Sequence, residues 1–549
     1  MQITQSYAKP STATSDKQGM HFNLSPELSR PPVSLHAMIH NSLAYGKIML
    51  ALREIVTGDW RSKIKDYTQY QEWVYQEYLK EVPNHYGHIE AEKVQLLGEK
   101  NILKGKIDEV NKVLQPIRKA MQEVRYKYYD YLRKYDKEKW YAYDPVISVH
   151  PDCVIFEAFS LDESSYGRVS VPVENLEMYG EVKYGTTNID FSQGLADEIY
   201  RVRSYRAAWL KVAYDQVQLS TSAGSRVEKK IDLPESWVRG FLQVQSASTM
   251  PGTDLSISSA TMNEILSVLE QKKEKESPRS IRFVLKKGEK PKIIIDPWGI
   301  EIQEHEFTYK GDMEGEVRIW GRRRLMVLKS LLAYSDSVQV KLLGTGMPHY
   351  WSVTIDGHRF DVGLSGWTSN DWSQKGNFDL LAATSKPKEV DVKNIEKALV
   401  QKLAGTPTEF AAWVSLPQQT AAAALQELCK NGQAMYDHLT ETYRWRKLLP
   451  KEIVVEEPEE DKRLNFAISL MKEDKVTIVE KITDDKKVTE YKAEVVSDKA
   501  DKVFKPVVRV DADGRVKYAE CTCGFFRRNK LRQGPCAHIM AATLKGARS

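Results

Sequence analysis

The sequence predicts a multidomain protein of the α+β class. Its 549 residues exceed what one hydrophobic core accommodates, and domain-size statistics indicate roughly three to five domains. Strand-like runs cluster in the middle of the chain instead of alternating regularly with helices, which is typical of α+β and not of α/β proteins. A hydrophobic content of 42% with 28% charged residues is ordinary for a globular protein.

Composition and charge limit the classes of function. The formal net charge is +5, which is small for this length, so any surface that binds a polyanion must be local. No apolar run approaches the roughly 20 residues that a membrane helix needs, and the N-terminus lacks the basic start and apolar stretch of a signal peptide. We therefore expect a cytoplasmic protein that does not enter a membrane. Residues 1–33 begin with a stretch rich in Ser, Thr, Gln and Lys and are predicted to be a disordered lead-in.

Residues 34–144 are predicted to form a helical, coiled-coil-like region. Apolar residues recur there at alternating steps of four and three, which is the pattern of a heptad seam. Pro116 interrupts the seam, and because an interior proline costs about 3 kcal/mol, we expect a kink or a break there. The seam fits either an intramolecular helical hairpin or a coiled coil that binds a partner. Its members are Leu103, Ile107, Val110, Leu114, Ile117, Met121, Val124, Tyr128 and Tyr131.

Two mixed α+β regions are predicted next, at residues 145–279 and 280–386. Short strand-like runs separated by turns, such as CVIFEAF and IRFVLK, characterise both regions. The polar, charged segment Gln271–Arg279 is the candidate linker between them. We find near misses of phosphate-loop and nucleophile-elbow signatures but no complete one, so no catalytic residue and no organic cofactor are predicted. An unrecognised enzyme in these two regions is one alternative for the function.

Residues 387–450 contain three predicted helices followed by a hairpin, an order that resembles a winged helix. The third helix, PQQTAAAALQELCK, carries one cation, Lys430, whereas a helix that reads a DNA groove usually brings several Arg, Lys or Asn side chains. Arg444, Arg446 and Lys447 lie near the hairpin and could contact phosphate. We favour protein contacts for this winged-helix-like unit.

The cysteines are concentrated near the C-terminus. Residues 451–470 are predicted to be an acidic linker and the start of the C-terminal region, and residues 471–549 to be strands plus a metal-binding motif. Five cysteines in 549 residues are too few for a disulfide framework, and three of them lie within 16 residues. This clustering indicates metal binding in a reducing compartment.

One complete set of candidate zinc ligands is present. Cys521, Cys523, Cys536 and His538 form the pattern C-x-C-x12-C-x-H, and Zn²⁺ takes four nitrogen or sulfur ligands in a tetrahedron. The first pair follows a predicted strand, the second pair begins a predicted helix, and Asp511–Gly514 supplies the turn of the preceding hairpin. Three thiolates and one imidazole close the coordination shell, so we expect one structural zinc per chain and not a catalytic one.

This motif resembles the SWIM zinc finger, a ββα unit with the pattern C-x-C-x(n)-C-x-H. All four ligand positions match, as do the flanking G-P-C-x-H and the short terminal helix. More loosely, the segments VRIWGRRRL, LLGTGMPHYW and GLSGWTSNDWS look like a bacterial group of SWIM-containing proteins. Members of that group are often encoded beside MoxR-type AAA+ ATPases and von Willebrand-A proteins. The resemblance therefore implies a protein partner in such a chaperone-like system.

Cations accompany the predicted finger. From Cys521 to the end of the sequence there is no Asp or Glu, and Arg527, Arg528, Lys530 and Arg532 lie between the two ligand pairs. They could contact nucleic-acid phosphates or a protein partner, and one or two of them could offset the net charge of −1 that three thiolates leave on Zn²⁺. We expect an adaptor or accessory protein that acts through protein contacts. Nucleic-acid binding through the finger is the second alternative.

Overall fold

The computed structural model describes most of the chain outside residues 59–144. The described residues are 12–15, 20–24, 33–58, 145–188, 199–205, 208–212, 235–250, 252–272, 279–366, 372, 387–448, 462–484, 488–496, 502–514, 516–531 and 534–546, together with four isolated positions between 63 and 142. None of the helices within these residues is long and apolar enough to cross a bilayer.

The chain divides into two compact units. One comprises Lys63–Ala142 and the other comprises Met1–Ser62 with Tyr143–Ser549. In the first unit the structure describes Gly105, Glu109, Pro116 and Lys127, and each is helical and exposed. The apolar residues of the predicted heptad seam lie outside the described residues, so the seam stays a prediction.

Strands and helices alternate irregularly through the second unit. Strands β1–β9 are Thr12–Ser15, Met20–Leu24, Leu35–Ile39, Val146–Val149, Cys153–Phe159, Ser165–Pro172, Leu176–Met178, Gly185–Asn188 and Ala208–Val212. Strands β10–β17 are Thr253–Ser258, Ile281–Leu285, Lys292–Ile295, Ile300–Gln303, Gly315–Ile319, Ser337–Leu342, His349–Ile355 and His358–Leu364. Strands β18–β25 are Ala404–Gly405, Ala434–Asp437, Thr442–Trp445, Val476–Thr483, Thr489–Val496, Val503–Phe504, Val507–Val510 and Val516–Glu520.

The helices confirm the mixed α+β class. Helices α1–α5 are Ser42–Thr57, Glu235–Ser248, Ser259–Gln271, Glu389–Lys402 and Pro407–Val414. Helices α6–α9 are Gln418–Lys430, Lys462–Lys472, Gly524–Asn529 and Ala537–Gly546. Short 3₁₀ helices lie at Val173–Asn175, Arg322–Leu328 and Leu332–Tyr334.

A five-stranded sheet in the order β1-β2-β9-β3-β7 contains three strands, β1, β2 and β3, in regions where the sequence predicted no sheet. β1 and β2 lie inside residues 1–33, which were predicted to be disordered, and β3 lies inside residues 34–144, which were predicted to be helical. β2 pairs in parallel with β9, aligning Met20 with Ala208. The partner strand is remote in sequence, so local composition did not reveal these strands. In β3 the buried Leu35, Ala37 and Ile39 alternate with half-buried residues, which is a strand period.

The central element is an eight-stranded sheet in the order β10-β15-β16-β17-β6-β5-β4-β8. It takes strands from both predicted α+β regions, because β17 pairs antiparallel with β6 and aligns Phe360 with Val169. Residues 145–279 and 280–386 therefore share one sheet, and the predicted boundary near residue 279 does not separate two cores. A smaller four-stranded sheet, β13-β12-β11-β14, is antiparallel throughout.

Both faces of β5 are buried, and its alternation assigns them to different neighbours. The Phe156 ring meets Tyr45 of α1 at a centroid distance of 6.5 Å on one face. On the other face Phe159 meets Phe241 of α2 at 4.8 Å, and Cys153 packs with Met435 of β19. α1 thus covers one side of the sheet, while α2 and the hairpin β19–β20 cover the other.

Residues 387–450 contain the element order α4-β18-α5-α6-β19-β20, with a three-stranded sheet ordered β18-β20-β19. These are the three helices and the hairpin that the sequence predicts, with one additional short strand. A capping box between Thr406 and Glu409 starts α5. Ile395, Phe410 and Leu425 belong to a separate small core that holds the three helices together.

The hairpin of this unit faces the central sheet, not solvent. Arg446 and Glu157 are both fully buried and form an ion pair of 2.9 Å, and Arg444 pairs with Asp152 at 2.6 Å. The expectation that Arg444 and Arg446 could contact phosphate is therefore wrong for this arrangement, because β5 and its flanking turn already supply their anions. Paired carboxylates make the burial of two guanidinium groups tolerable.

We predict that Arg446→Ala lowers the free energy of unfolding by about 3–5 kcal/mol, because it leaves the Glu157 carboxylate buried without a counter-charge. Urea unfolding measures the change. As a control, Lys393→Ala removes an exposed ion pair with Glu389 of the same winged-helix-like unit and should change the stability little, because solvent screens exposed ion pairs. The double variant Glu157→Gln/Arg446→Met should recover part of the loss. Equal stability of the two alanine variants would contradict the buried pairing.

Candidate metal centre

The C-terminal region is built on the sheet β21-β22-β24-β25, with β23 paired to β22. A turn at Asp511–Gly514 joins β24 to β25, and Gly514 adopts a φ of 78° that favours glycine. Helix α7 starts within residues 451–470, which were predicted to be an acidic linker and the start of the C-terminal region. Its buried residues Ala467 and Leu470 pack with Ala541 of α9. This helix was not predicted from the sequence.

The four predicted ligands converge at one end of this sheet. Cys521 follows β25 directly, Cys523 is the N-cap of α8, and Cys536 and His538 lie at the start of α9. Their ligand atoms all lie within 4.8 Å of one another, and the four residues are buried. Zinc–sulfur bonds of about 2.3 Å and zinc–nitrogen bonds of about 2.0 Å in a tetrahedron require separations of roughly 3.5–3.8 Å between ligand atoms. The observed Cys521 Sγ to His538 Nδ1 distance is 3.9 Å.

Neighbouring groups hold the ligands in place. The backbone N–H of Phe526 donates to Cys523 Sγ at 3.4 Å, which stabilises a thiolate there. The Phe504 ring packs against the His538 ring at a centroid distance of 4.4 Å. Phe504 lies in the two-residue strand β23, and the sequence analysis missed it because nothing in the ligand pattern points to a residue 17 positions before Cys521.

The thiols also interact with one another. Hydrogen bonding with Cys523 raises the pKa of the Cys521 thiol to about 12, and hydrogen bonding with Cys521 and Cys523 raises the pKa of Cys536 well above its usual range. Hydrogen bonds from Cys521 and Cys536 hold the pKa of Cys523 well below its usual range. One thiolate is thus stabilised by two neighbouring thiols, and zinc binding must release the remaining protons.

This donor set fits zinc in a structural role. Three sulfur donors and one imidazole nitrogen fill a tetrahedron and leave no position for a substrate or an activated water. When bound, zinc supplies the cross-link between β25, α8 and the start of α9. Among the residues that the structure describes, no other group of three or more His, Cys, Asp or Glu side chains could hold a metal ion.

Three of the four predicted contact residues are described. Arg527 and Arg528 lie on α8 and Lys530 follows it, while Arg532 lies outside the described residues. Arg528 and Lys530 are exposed and Arg527 is half-buried. The three side chains therefore lie on the same short segment between the ligand pairs, and their role as partner contacts stays a prediction.

Another concentration of charge lies under the hairpin β19–β20. Arg168 pairs with Asp361 at 2.7 Å and with Asp437 at 3.1 Å, and Arg359 pairs with the same two carboxylates. Burial alone would raise the pKa of Asp437, but Arg168 and Arg359 hold it well below its usual range. Each carboxylate is matched by two guanidinium groups, so this cluster is a buried structural network and not an acid–base pair.

A closed Cys₃His site between a hairpin and a helix defines a structural zinc finger. The SWIM zinc finger family model matches residues 507–546, which contain all four ligands. This C-terminal segment is a SWIM zinc finger, as the sequence predicts. The match is confined to that segment and assigns no family to the rest of the chain.

Other comparisons add little. No curated protein matches the chain. Among solved structures, the chain is similar to PCNA from Thermococcus kodakaraensis, with 11% identity over 41% of this chain and 90% of that one and a TM-score of 0.27. It is also similar to a chain of the PCNA2–PCNA3 complex from Sulfolobus tokodaii, with 12% identity, 41% and 89% coverage and a TM-score of 0.27. PCNA from Entamoeba histolytica has 12% identity over 41% of this chain and 89% of its own, with a TM-score of 0.29. No functional conclusion follows from likenesses of this extent.

We predict one tightly bound zinc ion per chain, because one complete four-ligand cluster is present in the described residues. Elemental analysis of the purified protein measures it. Cys536→Ser should lose the metal and, because zinc joins the end of β25 to α8 and α9, expose the hairpin of the finger to protease. Cys429→Ala removes a buried cysteine of α6 outside the cluster and should keep the zinc. A wild-type protein with a disulfide among Cys521, Cys523 and Cys536 in place of zinc would refute the assignment.

Proposed function

We propose that this protein is a zinc-dependent adaptor that binds a protein partner through its SWIM finger. The observation that carries the proposal is that the winged-helix-like unit is packed against the central sheet, which favours the finger over that unit as the contact surface among the described residues. A cytoplasmic location would keep the three thiols reduced and is part of the proposal. The resemblance of the chain to bacterial SWIM-containing proteins suggests a MoxR-type AAA+ ATPase, with a von Willebrand-A protein, as the partner to test first.

Helix α6 corresponds to the helix that would enter a DNA groove. Its residues from Ala421 to Gln426 are all buried, so no face of that stretch is available to a groove. The hairpin that follows is anchored to α2, where the Gln245 side chain accepts a hydrogen bond of 2.6 Å from the Tyr436 backbone N–H. A helix covered in this way supports a connecting role inside the protein.

The first residue of α6 contacts the finger. The Gln418 side-chain amide donates to the Asp513 carboxylate at 2.6 Å, and Asp513 lies in the turn between β24 and β25. The winged-helix-like unit thus bridges the central sheet and the finger. This contact supports the proposal that the finger is held at a fixed position, in which it can bind a partner.

Nucleic-acid binding through the finger is the second candidate, and one specific observation favours it. The segment from Cys521 to the end of the chain contains no acidic residue, while Arg527, Arg528 and Lys530 follow one another between the ligand pairs. Such a segment could neutralise three or four phosphates. This candidate needs no contribution from the winged-helix-like unit.

One variant separates the two candidates. Arg527→Ala/Arg528→Ala should weaken binding to the partner ATPase, and wild-type protein should bind nucleic acid negligibly at physiological salt. A nucleic-acid binder would instead show a log–log salt slope of roughly −2 to −4, flattened by about one to two units in the variant. Fluorescence anisotropy with single-stranded and duplex oligonucleotides, and capture of the purified ATPase after nuclease treatment, measure these outcomes.

The control for this test is Lys492→Ala/Arg509→Ala. This variant removes two cations of the C-terminal sheet that pair with Glu490. It should leave binding to the ATPase and to nucleic acid unchanged. Zinc content must be equal in all proteins compared. Salt-steep nucleic-acid binding by the wild type, lost in the Arg527/Arg528 variant alone, would overturn the adaptor proposal.

A further inference from the structure

Helices α7 and α9 lie side by side and run in the same direction. Ala467 and Leu470 of α7 pack with Met540 and Ala541 of α9 in the middle of the pair. At the C-terminal ends Lys545 forms an ion pair of 2.8 Å with Asp474, which follows α7. At the N-terminal ends Arg463 reaches the residue before Cys536. The packing therefore sets the position of α9, and with it the position of the second ligand pair.

The Arg463 side chain contacts the flanks of both ligand pairs. Its Nη1 donates to the backbone oxygen of Pro535 at 3.4 Å, and Pro535 directly precedes Cys536. Its guanidinium carbon lies 5.2 Å from the centroid of the Phe525 ring, and Phe525 is two residues after Cys523. One planar cation thus bridges the two ends of the segment that separates Cys523 from Cys536.

The charge of Arg463 is unusual for its position. It lies in the first turn of α7 and beside the first turn of α9, where the positive ends of both helix dipoles oppose a cation. Three thiolates on Zn²⁺ leave the nearby metal centre with a net charge of −1, which favours a cation. The negative charge of a zinc-bound Cys₃His centre would favour the Arg463 cation at this position.

We propose that Arg463 is a positioning residue for the zinc centre, and that the working zinc module begins at α7, upstream of the family-matched residues 507–546. Arg463 holds the start of α9 and the Phe525 side of α8 together, so both ligand pairs stay in ligating positions. Its planar guanidinium can stack on a ring and donate a hydrogen bond at the same time, which the flexible ammonium of lysine does less well. Residues that orient zinc ligands from outside the coordination shell typically affect metal affinity 10–100-fold.

The test measures zinc release from the full-length protein. Arg463→Ala should transfer zinc to a chelator roughly 10–100-fold faster than wild type. It should also alter the visible absorption of the Co²⁺-substituted finger, which reports the tetrahedral geometry. Arg463→Lys keeps the charge but loses the planar contact, so its release rate should lie between those of the wild type and the alanine variant. If the alanine variant fails to fold, the release rate of Arg463→Lys alone tests the proposal.

Arg509→Ala is the matched control. Arg509 is an arginine of β24 that stacks on Tyr518 at 5.3 Å and pairs with Glu490, so its loss removes a similar interaction away from the ligands. It should release zinc at the wild-type rate with an unchanged Co²⁺ spectrum. A wild-type release rate in either Arg463 variant, or an equal acceleration in Arg509→Ala, would overturn the proposal.

Discussion

Coordination of one zinc ion by three thiolates and an imidazole joins the end of β25, the start of α8 and the start of α9. The Cys521, Cys523, Cys536 and His538 side chains are buried within 4.8 Å of one another. Without a metal, three thiolates buried side by side would have no compensating positive charge, which disfavours their ionisation together. Zinc supplies that compensation and converts a crowded, protonated cluster into a cross-link. Because the ligands must lose their protons to bind the metal, zinc binding and the folding of the finger are coupled.

The finger is also tied to the rest of the unit. Gln418 of α6 contacts its hairpin turn, and the hairpin β19–β20 is fixed to the central sheet by Arg446 and Glu157. A chain of direct contacts therefore runs from the eight-stranded sheet through the winged-helix-like unit to the finger. Burying charged pairs at such a junction adds little to stability compared with apolar packing, but a misaligned pair is costly. We infer that the ion pairs fix the position of the hairpin on the central sheet more than they stabilise its packing there.

Local sequence patterns predicted the parts of this structure that depend on local interactions. The ligand spacing identified the zinc site, because both ligand pairs are short and their flanking strand, turn and helix are continuous in sequence. The helices α4, α5 and α6 were visible for the same reason. Strands β1, β2 and β3 were not, because β9, which pairs with β2 and β3, is remote in the chain, and because the composition of the three strands is polar or ambiguous.

Long-range pairing also explains the remaining differences. The sheet shared by residues 145–279 and 280–386 depends on the contact of β17 with β6, which no local boundary signal reveals. The hairpin arginines Arg444 and Arg446 resembled surface cations because their carboxylate partners, Asp152 and Glu157, lie almost 300 residues earlier. Phe504 and Arg463 were missed as neighbours of the zinc centre because packing, and not spacing, brings them there.

X-ray absorption at the zinc edge of the purified protein measures the coordination of the metal. A closed Cys₃His site should give four ligands, with three sulfurs at about 2.3 Å and one nitrogen at about 2.0 Å. A shell of oxygen and nitrogen donors, or one with five or six ligands, would contradict a closed structural site formed by Cys521, Cys523, Cys536 and His538.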